Sequence, residues 1–260
     1  MLRTVKSLFW IAFRSELFNA PQMLSQSVFF VLILVVFNFL WTQGAQSGLP
    51  MPASAREMLW YLVLTEVVTL SLAAVHRDIE SDLQKGRMAA ALLRPTHYLS
   101  VVCWQGAGTF FARIPVFGLV GSVTALALTG GWPDRGVESL LALLLAPLAC
   151  GVLLILVTSV GLSAVWLREC SPLYWVFQKS LFVFGGLMLP LSMYPDWFQS
   201  LAAVLPFKPV LYGVAQAILG APITVLLWNA VSLVIWFVAG LALAHWLHGR
   251  FVRKVLRGEI

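Results

Sequence analysis

Long apolar blocks, separated by short polar or charged stretches, dominate the pattern of this sequence. A helix needs about 20 mostly apolar residues to cross the hydrocarbon core of a membrane. Six blocks meet this requirement, and we predict that each forms a transmembrane helix. They cover residues 22–43, 57–76, 100–129, 137–167, 173–193 and 222–248. The predicted fold is an all-α polytopic membrane protein, with residues 1–260 forming a single transmembrane domain.

The first twenty residues follow a different pattern, because their polar and apolar positions fall on different sides of a helix. At about 100° per residue, Arg3, Lys6 and Arg14 lie within roughly 80° of one another. A separate apolar sector contains Val5, Leu8, Phe9 and Ala12. Residues 1–20 are therefore predicted to form an amphipathic helix at the membrane interface. A ragged leader is the alternative, and no cleavable signal peptide is expected.

Composition supports the membrane assignment. Of the 260 residues, 60% are hydrophobic and 11% are charged, and the mean hydropathy is +0.88. Soluble domains are about 45–50% apolar and about 25% charged. A soluble enzyme, a disordered chain and a secreted disulfide scaffold are thereby excluded. The net charge of +6 comes from basic residues at the ends of apolar blocks, so no nucleic-acid partner is expected.

The distribution of Lys and Arg predicts the orientation of the spans. If the N-terminus is cytoplasmic, thirteen of the seventeen basic residues lie on the inner side and three on the outer side. One more, Arg113, lies within a span. This excess follows the positive-inside rule and predicts that both termini are cytoplasmic. The last residues, 249–260, form a basic cytosolic tail in this topology.

The connection between the second and third spans, residues 77–95, is the most charged stretch of the chain. Ile79 and Leu83 share one helical face, and Gly86 is expected to end that helix before Pro95 stops the next apolar run. Around the two apolar residues lie Asp78, Glu80, Asp82 and Lys85. This pattern favours a short docking helix for a cytosolic partner. A solvated loop, whose charges only keep it inside, is an equally simple explanation.

The segment before the last span, residues 194–220, is too apolar for an exposed loop and too interrupted for a span. Proline recurs along it, and large apolar side chains lie between the prolines. Its principal residues are Pro195, Trp197, Pro206 and Phe207. Two short re-entrant helices in the outer leaflet would satisfy the backbone polar groups. A loop lying on the membrane surface is the alternative.

Two charged residues fall inside predicted spans. Glu66 lies midway along the second span, where an unpaired carboxylate costs about 2.5–3.5 kcal/mol. Arg113 lies in the third span at a similar depth. Because the two spans are consecutive and antiparallel, a Glu66–Arg113 ion pair is one hypothesis. Each charge facing water or a polar pocket independently is the other.

Motifs for catalysis are absent from the sequence. There is no Gly-x-x-x-x-Gly-Lys-Ser/Thr motif for nucleotide binding, so ATP chemistry would belong to another chain. No metal site is expected from the four histidines, and no disulfide from the three cysteines. These residues are His76, His97, His245 and His248, and Cys103, Cys150 and Cys170.

Two motifs together resemble a type-2 ATP-binding-cassette (ABC) exporter permease of the short six-span branch. The first is Asp78-Ile79, followed by Gly86-Arg87-Met88 and by Leu92-Leu93-Arg94-Pro95. The second is Leu189-Pro190, followed by Tyr194-Pro195-Asp196-Trp197 and by Leu205-Pro206-Phe207. Their order along the chain is also that of the family, and the similarity covers essentially the whole length.

The resemblance implies an N-terminal connecting helix, a coupling helix within residues 77–95, and external re-entrant helices before the sixth span. It implies an ATPase-coupling interface at Asp78, Ile79, Leu83, Gly86 and Arg87. Two ATPase subunits and a second permease, identical or homologous, would complete the complex in a bacterial inner membrane. ATP and Mg²⁺ would be bound by the ATPase chains, with no cofactor in this one.

The sequence thus predicts a non-catalytic permease subunit that moves an amphipathic or hydrophobic small molecule, or a lipid, out of the cell. Its spans offer many apolar and few polar side chains. Export of a lipid-linked glycan or polysaccharide is the alternative within this class. A proton-coupled secondary transporter that uses Glu66 is the alternative from a different class, and a scaffold without transport activity is the third.

Overall fold

Helices account for all the regular secondary structure in the described residues of the computed structural model, 2–87, 97–133 and 136–257. Five helices are long or lead into long apolar segments: α2 (Ala20–Gln46), α3 (Ala55–Leu70), α5 (Tyr98–Thr129), α6 (Gly136–Leu162) and α12 (Ile223–Leu256). Shorter helices are α1 (Leu2–Leu17), α4 (Val75–Gln84), α7 (Ala164–Leu167), α8 (Ser171–Phe184), α9 (Asp196–Ala203), α10 (Phe207–Val210) and α11 (Tyr212–Ala215), with a 3₁₀ turn at Leu191–Met193.

The membrane-spanning segments agree with the sequence prediction at five of the six positions. Apolar segments long enough to cross a membrane are Ala20–Gln46, Ala55–Gln84, Tyr98–Thr129, Leu144–Leu167 and Ile223–Lys254. The second of these breaks after Leu70 and resumes as α4. The predicted basic tail, residues 249–260, is helical as far as Leu256, because α12 continues into it.

The fifth predicted span, residues 173–193, is not one continuous helix. Helix α8 ends at Phe184, so its 14 residues cover only about 21 Å. Gly185 follows, and Gly186 has a φ of +67°, a left-handed conformation that glycine adopts without steric cost. The pair of glycines therefore ends the helix inside a run that is still apolar, which is why hydropathy alone extended it too far.

Side chains of α3 satisfy the backbone where α8 ends. The Tyr61 hydroxyl donates a hydrogen bond to the carbonyl oxygen of Gly186. The Thr65 hydroxyl donates to the carbonyl of Leu187 at 2.8 Å. Unpaired carbonyls are costly in an apolar environment. Consequently, the broken fifth segment depends on polar side chains of the second span.

Burial separates an inner pair of helices from an outer set. In the most apolar windows, 72% of residues are buried in the α3 segment and 78% in the α6 segment, compared with 17% in α2 and 22% in α12. The outer helices expose large apolar side chains, including Phe29, Leu32 and Trp228. An apolar outer surface of this kind is stable in lipid but not in water.

Glycines allow α5 to approach its neighbours closely. A Cβ on Gly121 would lie 2.9 Å from both Phe30 of α2 and Val63 of α3. Both neighbours are buried, with 0% and 3% exposure, so they have little room to move. Gly118, on the same helix, has no such neighbour within 4 Å of a Cβ. Gly121 is thus a packing requirement, whereas Gly118 is not.

We expect Gly121→Ala to destabilise the protein by about 1–3 kcal/mol, the usual cost of overpacking a tight core. The matched change Gly118→Ala should be neutral or stabilise by up to about 1 kcal/mol, because alanine favours helix. Thermal unfolding of both variants in the same detergent measures the difference. Equal midpoints for the two variants would contradict this packing.

Candidate functional site

Helix α4 has one buried face and one exposed face, as the docking-helix prediction requires. However, the two apolar residues that were expected on the docking face lie on the buried face. Ile79 is 0% exposed and belongs to the main hydrophobic core. Leu83 is partly buried against the same core. The idea that these two residues present an apolar ridge to a partner was wrong. The side chains on the opposite, exposed face are polar: Arg77, Asp78, Gln84 and Lys85, with the half-buried Ser81 between them.

Close packing against α6 explains why Ile79 is inaccessible. A Cβ on Gly161 would lie 2.7 Å from Ile79 Cδ1 and 2.9 Å from the Cα of His76. The His76 ring stacks on Tyr174 of α8, with 3.6 Å between centroids. Helix α4 is therefore packed firmly against the helices behind it.

On the buried side of α4, a cysteine thiol forms a hydrogen bond with a glutamate of the helix. The Cys170 thiol, at the start of α8, lies 2.9 Å from Glu80 Oε2. Burial, followed by the hydrogen bond to the carboxylate, raises the pKa of Cys170 to about 12. The thiol therefore remains protonated at neutral pH and can act as the donor.

Helix α4 ends at the glycine that the sequence indicated. Gly86 has a φ of +66°, and its N–H donates to the carbonyl of Leu83 at 3.0 Å. The N–H of Arg87 donates to the carbonyl of Asp82 at 2.9 Å, which completes a Schellman motif. The Arg87 side chain then returns to Asp82, with 2.8 Å between Nη2 and Oδ1. The other motif residues predicted here, Met88 and 92–95, lie outside the described residues.

The Glu66–Arg113 ion pair, one of the two hypotheses for these charges, is not formed. Arg113 instead pairs with Glu16 of α1, with 2.7 Å from Nη2 and 2.8 Å from Nε to the same oxygen. Both side chains are largely buried, with exposures of 8% and 12%. The prediction failed because it considered only the membrane spans, whereas the partner lies on the amphipathic N-terminal helix.

Arg113 also holds the connection between α3 and α4. Its Nη1 donates to the carbonyl of Leu70 at 3.3 Å and to that of Leu72 at 3.4 Å. These carbonyls lie at the C-terminal end of α3, which leads directly into α4. One guanidinium thus connects α1, α5 and the base of α4, and we call this set of contacts the Arg113 joint.

Packing of α1 against α5 surrounds the joint. Gly108 of α5 approaches the backbone of α1 so closely that a Cβ there would collide with the Phe9 carbonyl oxygen. The same Cβ would lie 3.0 Å from Ala12. Part of the apolar sector predicted for α1 therefore packs against α5. The remainder of that sector is available to the membrane interface.

Glu66 is buried, with 4% exposure, in the middle of α3. Among the described residues, no hydrogen bond or ion pair reaches its carboxyl group. Its neighbour Thr65 is committed to the carbonyl of Leu187. Glu66 is therefore a largely buried acid for which the described residues provide no cationic partner.

The segment before the last span folds as two short helical units. Helix α9 begins after Pro195, and the α10–α11 unit, which starts after Pro206, is bent from it by 87°. Trp197 is 69% exposed, while Phe207 packs edge-on against Phe177 at 5.6 Å. This shape agrees with the expected pair of short helices, and its re-entrant position in the membrane stays a prediction.

A hydrogen bond from a side-chain amide joins these two short helical units to the last span. Asn229 of α12 donates to the carbonyl of Pro209 at 3.2 Å, next to Gly213 of α11. A Cβ on Gly213 would overlap the Asn229 side chain. The sequence analysis missed Asn229, although a lone asparagine in an apolar span is a signal for an internal hydrogen bond.

The sequence analysis also missed Glu16, although the signal was present. At about 100° per residue, Glu16 falls in the same sector as Phe9 and Ala12, on the apolar face of α1. An acid within an apolar face indicates a buried cationic partner. Arg113 was the unassigned intramembrane cation, and so the pair could have been proposed.

The fold and these sites define a multi-pass helical membrane protein in which a polar-faced helix is attached to the spans and no catalytic motif is present. A family model described as "ABC-2 family transporter protein" matches residues 53–255. The chain belongs to this family of ABC permeases, whose members associate with an ABC ATPase. It is accordingly a transport subunit. Comparison with curated proteins finds no match.

A double-mutant cycle tests the Arg113 joint. We expect Arg113→Gln to cost about 3–5 kcal/mol, since it leaves a buried carboxylate without its partner. Glu16→Gln and the double variant should show a coupling energy of about 0.5–3 kcal/mol. Unfolding midpoints in denaturant provide the free energies.

The control cycle combines Glu66→Gln with Arg113→Gln, two residues of the described chain that no hydrogen bond or ion pair joins. Their effects should add to within about 0.5 kcal/mol. If only the Glu66/Arg113 cycle showed a coupling energy, the Glu66–Arg113 ion pair would be supported and the Arg113 joint would be excluded.

Proposed function

We propose that this chain is the permease subunit of an ATP-driven exporter, with its α4 end on the cytosolic side of a bacterial inner membrane. The observation that carries the proposal is α4 itself: a short helix packed firmly on the spans, with a polar face left open in a member of the ABC-2 family. Such a helix can transmit a force from a cytosolic ATPase without bending away from the membrane domain.

The open face of α4 is the proposed contact for the ATPase. It carries both signs of charge, in Arg77, Asp78 and Lys85, and an interface of this type derives its specificity from charge complementarity. Gly86 and Arg87 fix where the helix ends, so they shape the surface rather than add apolar contact area. Ile79 and Leu83 support the face from behind.

The Arg113 joint is the proposed route by which movement passes into the spans. A displacement of α4 acts on the carbonyls of Leu70 and Leu72, and through Arg113 on α1 and α5. Coupling between sites needs a contiguous set of contacts with more than one arrangement. The joint supplies the contiguous contacts, so α1 and α4 would move as one unit with the ATPases.

The proposed substrate is an amphipathic or hydrophobic small molecule or a lipid. Two cavities in the described residues support this choice. One, of about 350 Å³, lies between α5, α6 and α12 and is lined mainly by apolar side chains such as Trp104 and Phe237. The other, of about 730 Å³, lies between the end of α2 and residues near Met193. Neither lining provides the array of polar groups that a glycan requires, and glycan export is therefore the second choice.

A second permease, identical or homologous, is the proposed partner within the membrane. Helix α2 exposes Leu24, Val28, Leu32, Val35 and Phe39, which are spaced three or four residues apart along one face. That stripe can face another helix as readily as lipid. Two permeases with two ATPases would then form the complete transporter, and the substrate would leave along the permease interface.

Charge reversal on α4 tests the docking face. We expect Asp78→Arg to weaken co-purification of the ATPase at least about fivefold, because it replaces one complementary charge by a repulsive one. Thermal stability of the permease should change little, since Asp78 is exposed. Binding is measured by quantitative mass spectrometry of the complex purified in mild detergent from the native host.

The matched control is Asp196→Arg, the same reversal at an exposed position on α9. It should leave the ATPase bound. Ile79→Asp is expected to lower the unfolding temperature, because Ile79 is fully buried. Any loss of ATPase binding in this variant would therefore reflect impaired folding and not a lost contact. Normal ATPase binding and transport by Asp78→Arg would exclude this face as the interface.

The buried Glu66 carboxyl group favours one rival, a proton-coupled transporter. The two mechanisms make opposite predictions for Glu66→Gln. In an ATP-driven exporter the neutral side chain removes a costly buried group, so stability should rise and ATP-driven transport should persist. In the proton-coupled mechanism, transport driven by a pH gradient without ATP should disappear. Transport assays in proteoliposomes with either energy source separate the two.

A further inference from the structure

The inner end of α12 forms a basic groove that the proposed transport function does not use. Its lining consists of Trp166, Arg250, Arg253, Lys254 and Arg257, and its volume is about 330 Å³. Four of the five side chains are cationic, and none is acidic. Elsewhere in the described residues, Arg87 and Arg113 are each neutralised by a carboxylate, whereas no carboxylate of the described residues pairs with Arg250, Arg253 or Lys254. A cluster of like charges is most stable when an anion lies among them.

Existing contacts orient the cations of this groove. The Arg250 guanidinium stacks over the Trp246 ring, 4.2 Å from its centroid. Arg253 Nε donates to the carbonyl of Gly249 at 3.1 Å, and Lys254 Nζ donates to that of Val165 at 3.1 Å. Each of the two guanidinium groups keeps further N–H donors, because arginine has five. Phosphate oxygens are the acceptors that such groups bind best.

The position of the groove on α12 indicates where the anion comes from. At about 100° per residue, Trp228, Ile235, Trp246, Arg250 and Arg253 all lie within roughly 60° of one another. The first three are apolar and 74%, 60% and 52% exposed, so this face of α12 is open to the acyl chains of the bilayer. Toward the C-terminus of α12, this face includes Trp246, a residue type common at the membrane interface, and then the cations of the groove.

We propose that this groove is a binding site for the headgroup of an anionic phospholipid. The phosphate lies among Arg250, Arg253 and Lys254, and the acyl chains run along the apolar stripe of α12. Lys254 also donates to the carbonyl of Val165, the second residue of α7, so a lipid bound here stabilises the contact between α7 and α12. Clusters of basic residues at the cytoplasmic membrane edge bind anionic lipids in this manner.

Native mass spectrometry of the purified full-length chain tests the site with three probes: phosphatidylglycerol, phosphatidylcholine and inorganic phosphate. We expect phosphatidylglycerol to bind about tenfold more tightly than phosphatidylcholine. The double variant Arg250→Gln/Arg253→Gln should lose that preference, whereas Arg250→Lys/Arg253→Lys should retain most of it. Retention by the lysine variant separates loss of charge from loss of folding.

The matched control is Lys6→Gln/Arg14→Gln, which removes the same charge from the exposed side of α1. It should retain the preference for phosphatidylglycerol within about twofold. Equal loss in this control would overturn the proposal in favour of a net-charge effect. Inorganic phosphate that competes as well as the lipid would indicate a site for a free anion, and displacement of the lipid by the ATPase would indicate a protein interface. Either result would also overturn it.

Discussion

The buried ion pair between Arg113 and Glu16 is the interaction on which the arrangement of this protein depends. A guanidinium within a membrane span must be neutralised, because an isolated charge in hydrocarbon is costly. Glu16 provides the opposite charge from outside the span bundle, and the carbonyls of Leu70 and Leu72 accept two further hydrogen bonds. The electrostatic requirement of one residue therefore fixes α1 on α5 and sets the point from which α4 leaves the second span.

A second constraint is the need to satisfy backbone polar groups away from water, and it governs the segments between the end of α8 and the start of α12. Helix α8 is too short to cross a membrane, and the N–H groups of Gly185, Gly186 and Leu187 still donate back into its last turn. The carbonyls of Gly186 and Leu187 lie beyond the helix and need other partners. Tyr61 and Thr65 bond the carbonyls of Gly186 and Leu187, and Asn229 bonds that of Pro209. Irregular backbone is tolerated at membrane depth only when protein groups replace the missing bonds. The non-helical segments are therefore held by α3, one of the two inner helices, and by α12.

These constraints are consistent with a transport subunit. The surface of α4 is polar and open, while its underside is fastened by Ile79, His76 and the Cys170–Glu80 hydrogen bond. Core packing of this kind deforms little, so α4 is held rigidly on the helices behind it. The outer helices α2 and α12 remain apolar and loosely covered, as suits surfaces that face lipid or a second permease. At its inner end, α12 changes from an apolar to a basic face over about one helical turn, which matches the change from acyl chains to headgroups.

Hydropathy, helical periodicity and glycine conformation act locally along the chain. They were therefore sufficient to predict the class of fold, five of the six spans, the amphipathic first helix and the end of α4 at Gly86. The sequence did not determine which side of α4 is buried, since Ile79 and Leu83 would form the same stripe against the core or against a partner. Nor did it pair Arg113 correctly, because two acids, Glu16 and Glu66, were available and only the three-dimensional packing brings one within 2.7 Å. The length of α8 was also decided by tertiary structure: the run continues apolar to residue 193, but helix α3 offers the hydroxyl groups that allow the chain to leave the helix early. Local patterns record which residues avoid water, whereas the choice among equally apolar or equally charged partners depends on distances between segments that are far apart in the chain.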